Sequence, residues 1–233
     1  MKSARRLRFG EEKHSRVNWL RDVILGGQDG LVNVLGIVLG VSTASSNNKI
    51  LMTASLAAAF AESISMAAVA YTSTLADRDY YEKELKRELE EVNQAPEKER
   101  EEIRQIYERK GFAGKILEEV VEIITQNKKV WLNTMMEDEL GLKRVEKNAI
   151  LRTSIVVGFA ALVGSFVPIM PFVFLPLPWS VVMSLFVSGV VLFGIGVYEA
   201  KTYVGHWIKN GFQMLVIGLG SALAGFLVGK IFR

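Results

Sequence analysis

The sequence predicts an all-α integral membrane protein, with five transmembrane helices and a polar helical domain inserted between the second and third. Three observations predict it. Charge is segregated: residues 77–147 hold 19 of the 25 Asp/Glu and 15 of the 28 Lys/Arg. Residues 153–198 run for 46 positions without a charged side chain, enough for two spans of about 20 residues each. Between Ile50 and Val92 there is neither Gly nor Pro, and the character changes from apolar to densely charged at Asp77. One continuous helix is the economical reading of that stretch, about 60 Å long, with half spanning a bilayer core and half projecting into water.

Composition narrows the function classes. The net charge of +3 does not mark a nucleic-acid binder, because the basic residues alternate with acids or flank apolar spans. Without cysteine there is no disulfide and no thiolate metal site. The first apolar segment, from Val23, contains Asp29 and is too long for a signal-peptide core, so it is expected to remain as a span.

Taken in order, residues 1–21 carry seven Lys/Arg and His14 and form a basic anchor on the cytosolic side. Residues 22–76 supply the first two spans, roughly Asp22–Thr43 and 50–76, joined by SSNNK. Residues 77–147 form the inserted domain. Its first helix continues to about Val92, and Pro96 starts a second that ends at Lys110 before Gly111 and Gly114. Apolar residues at helical spacing predict further helices over 115–126 and 129–140, with Gly141 as the stop. Residues 148–233 supply spans three to five, with Pro168, Pro171, Pro176 and Pro178 expected to mark the turn between the third and fourth. A polar loop over 199–210 leads to the fifth span, Gly211–Gly229. Five spans and the Lys/Arg bias place the N-terminus and residues 77–147 in the cytosol.

Two groups of residues could hold cations. In the membrane, Asp22, Asp29, Asn33, Gly36 and Gly40 share one helical stripe, and Ser55, Glu62, Met66, Ser73 and Asp77 share another. Intramembrane carboxylates are costly and face a partner or a polar path. The plain alternatives are a basic partner for Asp29 near the interface and a core or lipid-facing role for Met66. Asp29, Glu62 and Met66 at one depth would instead combine oxygen donors with a thioether, which suits softer transition metals. In the insert, Glu88/Glu91 and Glu99/Glu102 are i,i+3 pairs with both carboxylates on one face, and Met135, Met136 and Glu139 repeat the pairing of thioether with carboxylate. The ordinary meaning of such a run is a solvated charged face. No His lies between Asp77 and Lys147, so the Glu-x-x-His motifs of a ferritin-like oxidase are missing and no catalytic residue or permanent cofactor is assigned. Gly36-x-x-x-Gly40 and Gly225-x-x-x-Gly229 permit close helix contact.

These residues resemble the vacuolar iron transporter family over nearly the whole chain. The matching pieces are QDGLVNVLGIVLGVSTA in the first span, Ser65-Met66-Ala67 in the second, ELEEVNQAPEKEREEIRQIYERKG and MMEDELGL in the insert, and the Pro-rich turn. The resemblance implies a homodimer of five-span protomers that exchanges Fe²⁺ or Mn²⁺ for protons, exporting metal from the cytosol across a cell or vacuolar membrane. It implies metal binding by Glu88, Glu91, Glu99, Glu102, Met135, Met136 and Glu139, and a translocation path lined by Asp29 and Met66 at the dimer interface. Where many members have a glutamate four residues after the Met, this chain has Ala70; Glu62, four residues before it, is the expected substitute. The alternative is a membrane-anchored metal buffer or sensor without transport.

Overall fold

The computed structural model describes residues 11–177 and 179–233, with side chains from Trp19 onward except those at 178, 203 and 204. Residues 1–10 of the expected basic anchor, and Pro178, therefore lie outside the described residues. Among the described residues all regular structure is helical: α1 (Glu11–Ala44), α2 (Asn48–Gln94), α3 (Pro96–Arg109), α4 (Gly114–Gln126), α5 (Lys128–Thr134), α6 (Lys147–Phe174), α7 (Trp179–Glu199) and α8 (Trp207–Ile231), with π-helical turns at Met135–Glu139 and Ala200–Val204. Five of these, α1, α2, α6, α7 and α8, are long and apolar enough to cross a membrane. The chain falls into two compact units, residues 1–71 with 151–233, and residues 72–150.

The continuous second helix is present, over Asn48–Gln94. The expected first span is present as well, Trp19–Ala44, within a helix α1 that starts earlier, at Glu11, because residues 11–25 contain no Gly or Pro to stop it. Other expectations need correction. Pro168 and Pro171 do not mark a turn but lie inside α6, which continues to Phe174. Both are buried, and Ser184 of α7 donates to the Pro168 carbonyl at 2.8 Å. That bond ties α7 to α6 beside the prolines; the carbonyls that Pro168 and Pro171 leave without an in-helix donor are those four residues back, of Gly164 and Val167. The loop over 199–210 shrinks to the residues around Gly205 and His206, since helical backbone continues to Val204 and resumes at Trp207.

The membrane unit packs through small residues and leaves large ones outside. Ile64, Phe159, Phe186 and Val216 are each about two-thirds exposed, an arrangement that suits a lipid solvent. Inside, a Cβ at Gly225 would collide with the carbonyl of Gly36, and one at Gly229 with that of Gly40. The two G-x-x-x-G motifs thus face each other across α1 and α8 within one protomer. Serine hydroxyls add cross-helix bonds: Ser63 to the Gly158 carbonyl at 2.8 Å, Ser154 to Ala67 at 2.7 Å and Ser221 to Val32 at 2.8 Å. Contacts of this kind take the place of the hydrophobic effect, which cannot drive association where the solvent is itself apolar. Val34 and Val38 of α1, Leu51 and Ala59 of α2, and Ile169 and Phe172 of α6 form the largest buried cluster described in this unit.

The second unit follows the opposite rule. α4 buries Leu117, Val121 and Ile124, one apolar stripe at i, i+4 and i+7. These meet Val92, Ile103, Trp131 and Met135 in a conventional hydrophobic core. Asn127 caps α5 by accepting from the backbone N–H groups of Lys129 and Val130. Arg104 of α3 reaches Glu118 of α4 at 2.6 Å. Gly111, Gly114 and Gly141 all adopt positive φ, which ends α3, opens α4 and stops the chain after the π-turn.

Candidate metal centres

In the second unit, carboxylates sit where the helix pattern calls for apolar residues. α3 buries Glu99, Ile103 and Ile106, so Glu99 occupies the leading position of the core stripe. On α2 the buried positions are Tyr81, Glu84, Glu88 and Val92, again one face. Glu88 and Glu99 are each only 1% exposed. Carboxylate oxygens of Glu88, Glu91 and Glu99 all lie within 4.8 Å of one another. Glu88 Oε2 and both oxygens of Glu99 are buried without a hydrogen-bond partner. An orphaned buried acceptor costs about 1–3 kcal/mol, and more if charged, so an oxygen-seeking cation would relieve a real penalty here.

Of the other predicted residues, Glu102 and Glu139 share the electrostatic field of this trio. The expected single helix over 129–140 is instead α5 followed by a π-turn at Met135–Glu139, closed by a bond from the Leu140 N–H to the Met135 carbonyl at 3.1 Å. Met135 and Met136 are both fully buried, Met135 within the hydrophobic core. Burial raises Glu139 to a pKa of about 7, helped by repulsion from Glu102, Glu88 and Glu99 and opposed by Arg87; this places its charge in the same field although the residue as a whole is exposed. Glu99 is also raised, first by burial and then by Glu102, with Lys98 opposing. Lys98 pairs with Glu102 at 3.1 Å. Lys110 pairs with Asp138 at 2.6 Å and lies over the Tyr107 ring, which fastens the π-turn to the end of α3. Glu91, Glu102 and Glu139 are the more accessible of these carboxylates, and Glu88 and Glu99 the buried ones. Glu84 and Arg87 were not singled out from the sequence. The signal was available for Glu84, which is on the buried stripe with Glu88.

In the membrane unit, Asn33 donates to Asp29 at 3.3 Å, and Glu62 of α2 lies close enough to Asp29 and Asn33 to interact with both. The structure therefore joins the two predicted stripes at Asp29 and Glu62. Asn33 and Glu62 also line an open groove of about 760 Å³ with Gly36, Gly40, Ser221 and Gly225. Met66 lies half-buried one helical turn beyond Glu62. Asp22 is engaged separately, accepting from Thr153 at 3.2 Å.

These features define a class: a helical integral membrane protein with a carboxyl pair between its spans and a compact unit whose core is breached by clustered carboxylates. A model of the VIT family matches residues 20–230, and the chain belongs to that family. It is 31% identical to vacuolar iron transporter 1 of Tulipa gesneriana over 94% of this chain and 90% of that protein. It is 33% identical to vacuolar iron transporter 2 of Oryza sativa subsp. japonica over the same shares. Similarity extends to the vacuolar iron transporter of Plasmodium falciparum, 27% identical over 97% of this chain and 86% of that one.

Proposed function

We propose that this protein transports divalent transition metals, Fe²⁺ first and Mn²⁺ second, out of the cytosol in exchange for protons. The observation that carries the reading is Glu99: a carboxylate at a core position of α3, with two buried oxygens that accept no hydrogen bond, beside Glu88 and Glu91. Carboxylate oxygens suit hard and borderline divalent ions, and the thioethers of Met135 and Met136 favour transition metals over Mg²⁺ or Ca²⁺. The iron in the names of the relatives supports Fe²⁺ as the principal cargo.

Glu88, Glu91, Glu99, Glu102, Glu139, Met135 and Met136 collect metal on the cytosolic side. Asp29, Glu62 and Met66 carry it through the membrane unit. Two neighbouring carboxyl groups in a place of low dielectric repel when both are ionised, which favours a proton on one of them. A divalent ion taking the same oxygens must expel that proton, and this supports antiport with Glu62 filling the role of the glutamate absent at Ala70. The protein acts as a homodimer in a vacuolar or cell membrane, with the N-terminus and residues 77–147 cytosolic.

The test is flux into sealed proteoliposomes. Transport predicts Fe²⁺ uptake that exceeds protein stoichiometry many-fold and moves protons the other way. Uptake that stops at a fixed number of ions per chain would identify a membrane-anchored buffer instead.

A further inference from the structure

Arg87 occupies a singular position in the carboxylate cluster. It bridges three glutamates on α2: Nη1 to Glu84 at 2.7 Å, Nη2 to Glu88 at 3.0 Å and Nε to Glu91 at 3.6 Å. Glu88 and Glu91 belong to the trio that could hold a metal; Glu84 does not. Glu88 divides its oxygens, with Oε1 on Arg87 and Oε2 buried without a partner. Glu84 is 5% exposed and its contact with Arg87 is the shortest of the three. The Arg87 side chain is 50% exposed, so it lies across the cluster from the solvent side and has room to move. Lys98 of α3 differs: its ion-pair partners among the described residues, Glu99 and Glu102, are both in the cluster.

We propose that Arg87 is a tethered competitor cation, which neutralises the empty carboxylate pocket and must yield Glu88 and Glu91 to an entering divalent metal, retreating onto Glu84. The inference rests on the metal reading of the cluster and adds its regulation. Without a counter-ion, Glu84, Glu88 and Glu91 would repel one another along a single helix face. A guanidinium forms several directed, charge-assisted bonds at once, and its rigid fork can hold all three carboxylates. A divalent ion seated on Glu88 Oε2 would be placed beside this positive charge, so affinity is set by the difference between the two cations. Glu84 is then a parking position: it keeps the displaced guanidinium paired and close, ready to refill the pocket when the metal leaves. Such a device lowers affinity in exchange for release, as a protein that hands its ion on requires. The raised pKa of Arg87, caused first by its bond to Glu88, is consistent with a cation held by this cluster.

The experiment is Co²⁺ titration by calorimetry on the full-length chain in detergent, with melting followed by circular dichroism. Arg87→Gln is expected to tighten Co²⁺ binding roughly two- to five-fold, the range for loss of a largely exposed ion pair, while lowering the melting temperature of the metal-free protein. Glu84→Gln is expected to weaken binding, and to do so much less in the Arg87→Gln background, because its effect runs through the guanidinium. Unchanged or weaker binding in Arg87→Gln, or additive effects of the two substitutions, overturns the proposal. Should Arg87→Gln not fold, Arg87→Lys provides the same test, since one ammonium cannot span three carboxylates and binding should still tighten. A Glu88→Gln/Glu99→Gln variant separates the premises. If it binds Co²⁺ as the unaltered chain does, the metal reading of the cluster itself fails; if it loses binding while Arg87→Gln shows no gain, only the competitor role fails.

Discussion

The two carboxylate sites of this chain solve the same problem, a negative charge in a low-dielectric place, in different ways. In the membrane unit the solution is economy: Asp29 and Glu62 meet each other and Asn33, beside an open groove. In residues 72–150 it is crowding: Glu88, Glu91 and Glu99 converge, with Glu102 and Glu139 close enough to repel them, against Arg87 and Lys98. A pair that can share a proton is suited to passing an ion. A crowded pocket with orphaned oxygens is suited to capturing one. The difference teaches that burial of a carboxylate does not define a role; its partners do.

The sharpest way to break this comparison is Asp29→Asn. Transport of every divalent ion should fall to background in proteoliposomes, because Glu62 alone offers at most one negative charge against the dehydration of a divalent cation. Full flux in that variant would move the path elsewhere. Glu88→Gln/Glu99→Gln should leave a measurable rate at saturating metal while reducing uptake at low metal, since it removes capture and not passage.

Next in size is the helix contact that frames the groove. Gly225→Ala forces a methyl group against the Gly36 carbonyl, and overpacking of this sort costs about 1–3 kcal/mol. Gly220→Ala, where a Cβ meets open space, should leave the melting temperature in detergent unchanged. Equal effects of the two would show that α1 and α8 do not approach closely.

The pH dependence sharpens the capture site. Glu139 titrates near 7 when folded, against an ordinary 4.5, so the folded chain binds more protons than the unfolded one between those values. Stability of the metal-free protein should therefore fall as pH rises from about 4.5 to 7. Metal affinity should move oppositely, weakening as pH drops through 7 because protons compete for the carboxylates. Glu139→Gln should flatten both trends in calorimetry and thermal melting; a pH profile unaltered by it would remove Glu139 from the site.

The smallest expected effect is Met66→Leu. Volume is nearly kept and the sulfur is lost, so flux of iron, cobalt and nickel should fall a few-fold more than that of manganese. A uniform loss across the four metals would give Met66 a packing role only.

The spans, the uninterrupted second helix and the residues of the acidic cluster were legible in the sequence, because each follows from composition over a long window or from helical spacing. Glu84 was legible too, had the buried face of α2 been traced from Tyr81 through Glu84 and Glu88 to Val92. Helical spacing alone also put Asp29 and Glu62 each on a polar stripe. Only tertiary structure decided which stripes meet, since helix facing depends on contacts such as Gly36 against Gly225, far apart in the chain. It also decided that Pro168 and Pro171 stay helical, buried within α6 where packing overrides the breaker signal that a local pattern reads. The π-turn at Met135–Glu139 belongs to the same kind. Its residues read as ordinary helix, whereas in the structure the turn buries both methionines and Asp138 pairs with Lys110, contacts with residues outside the local pattern.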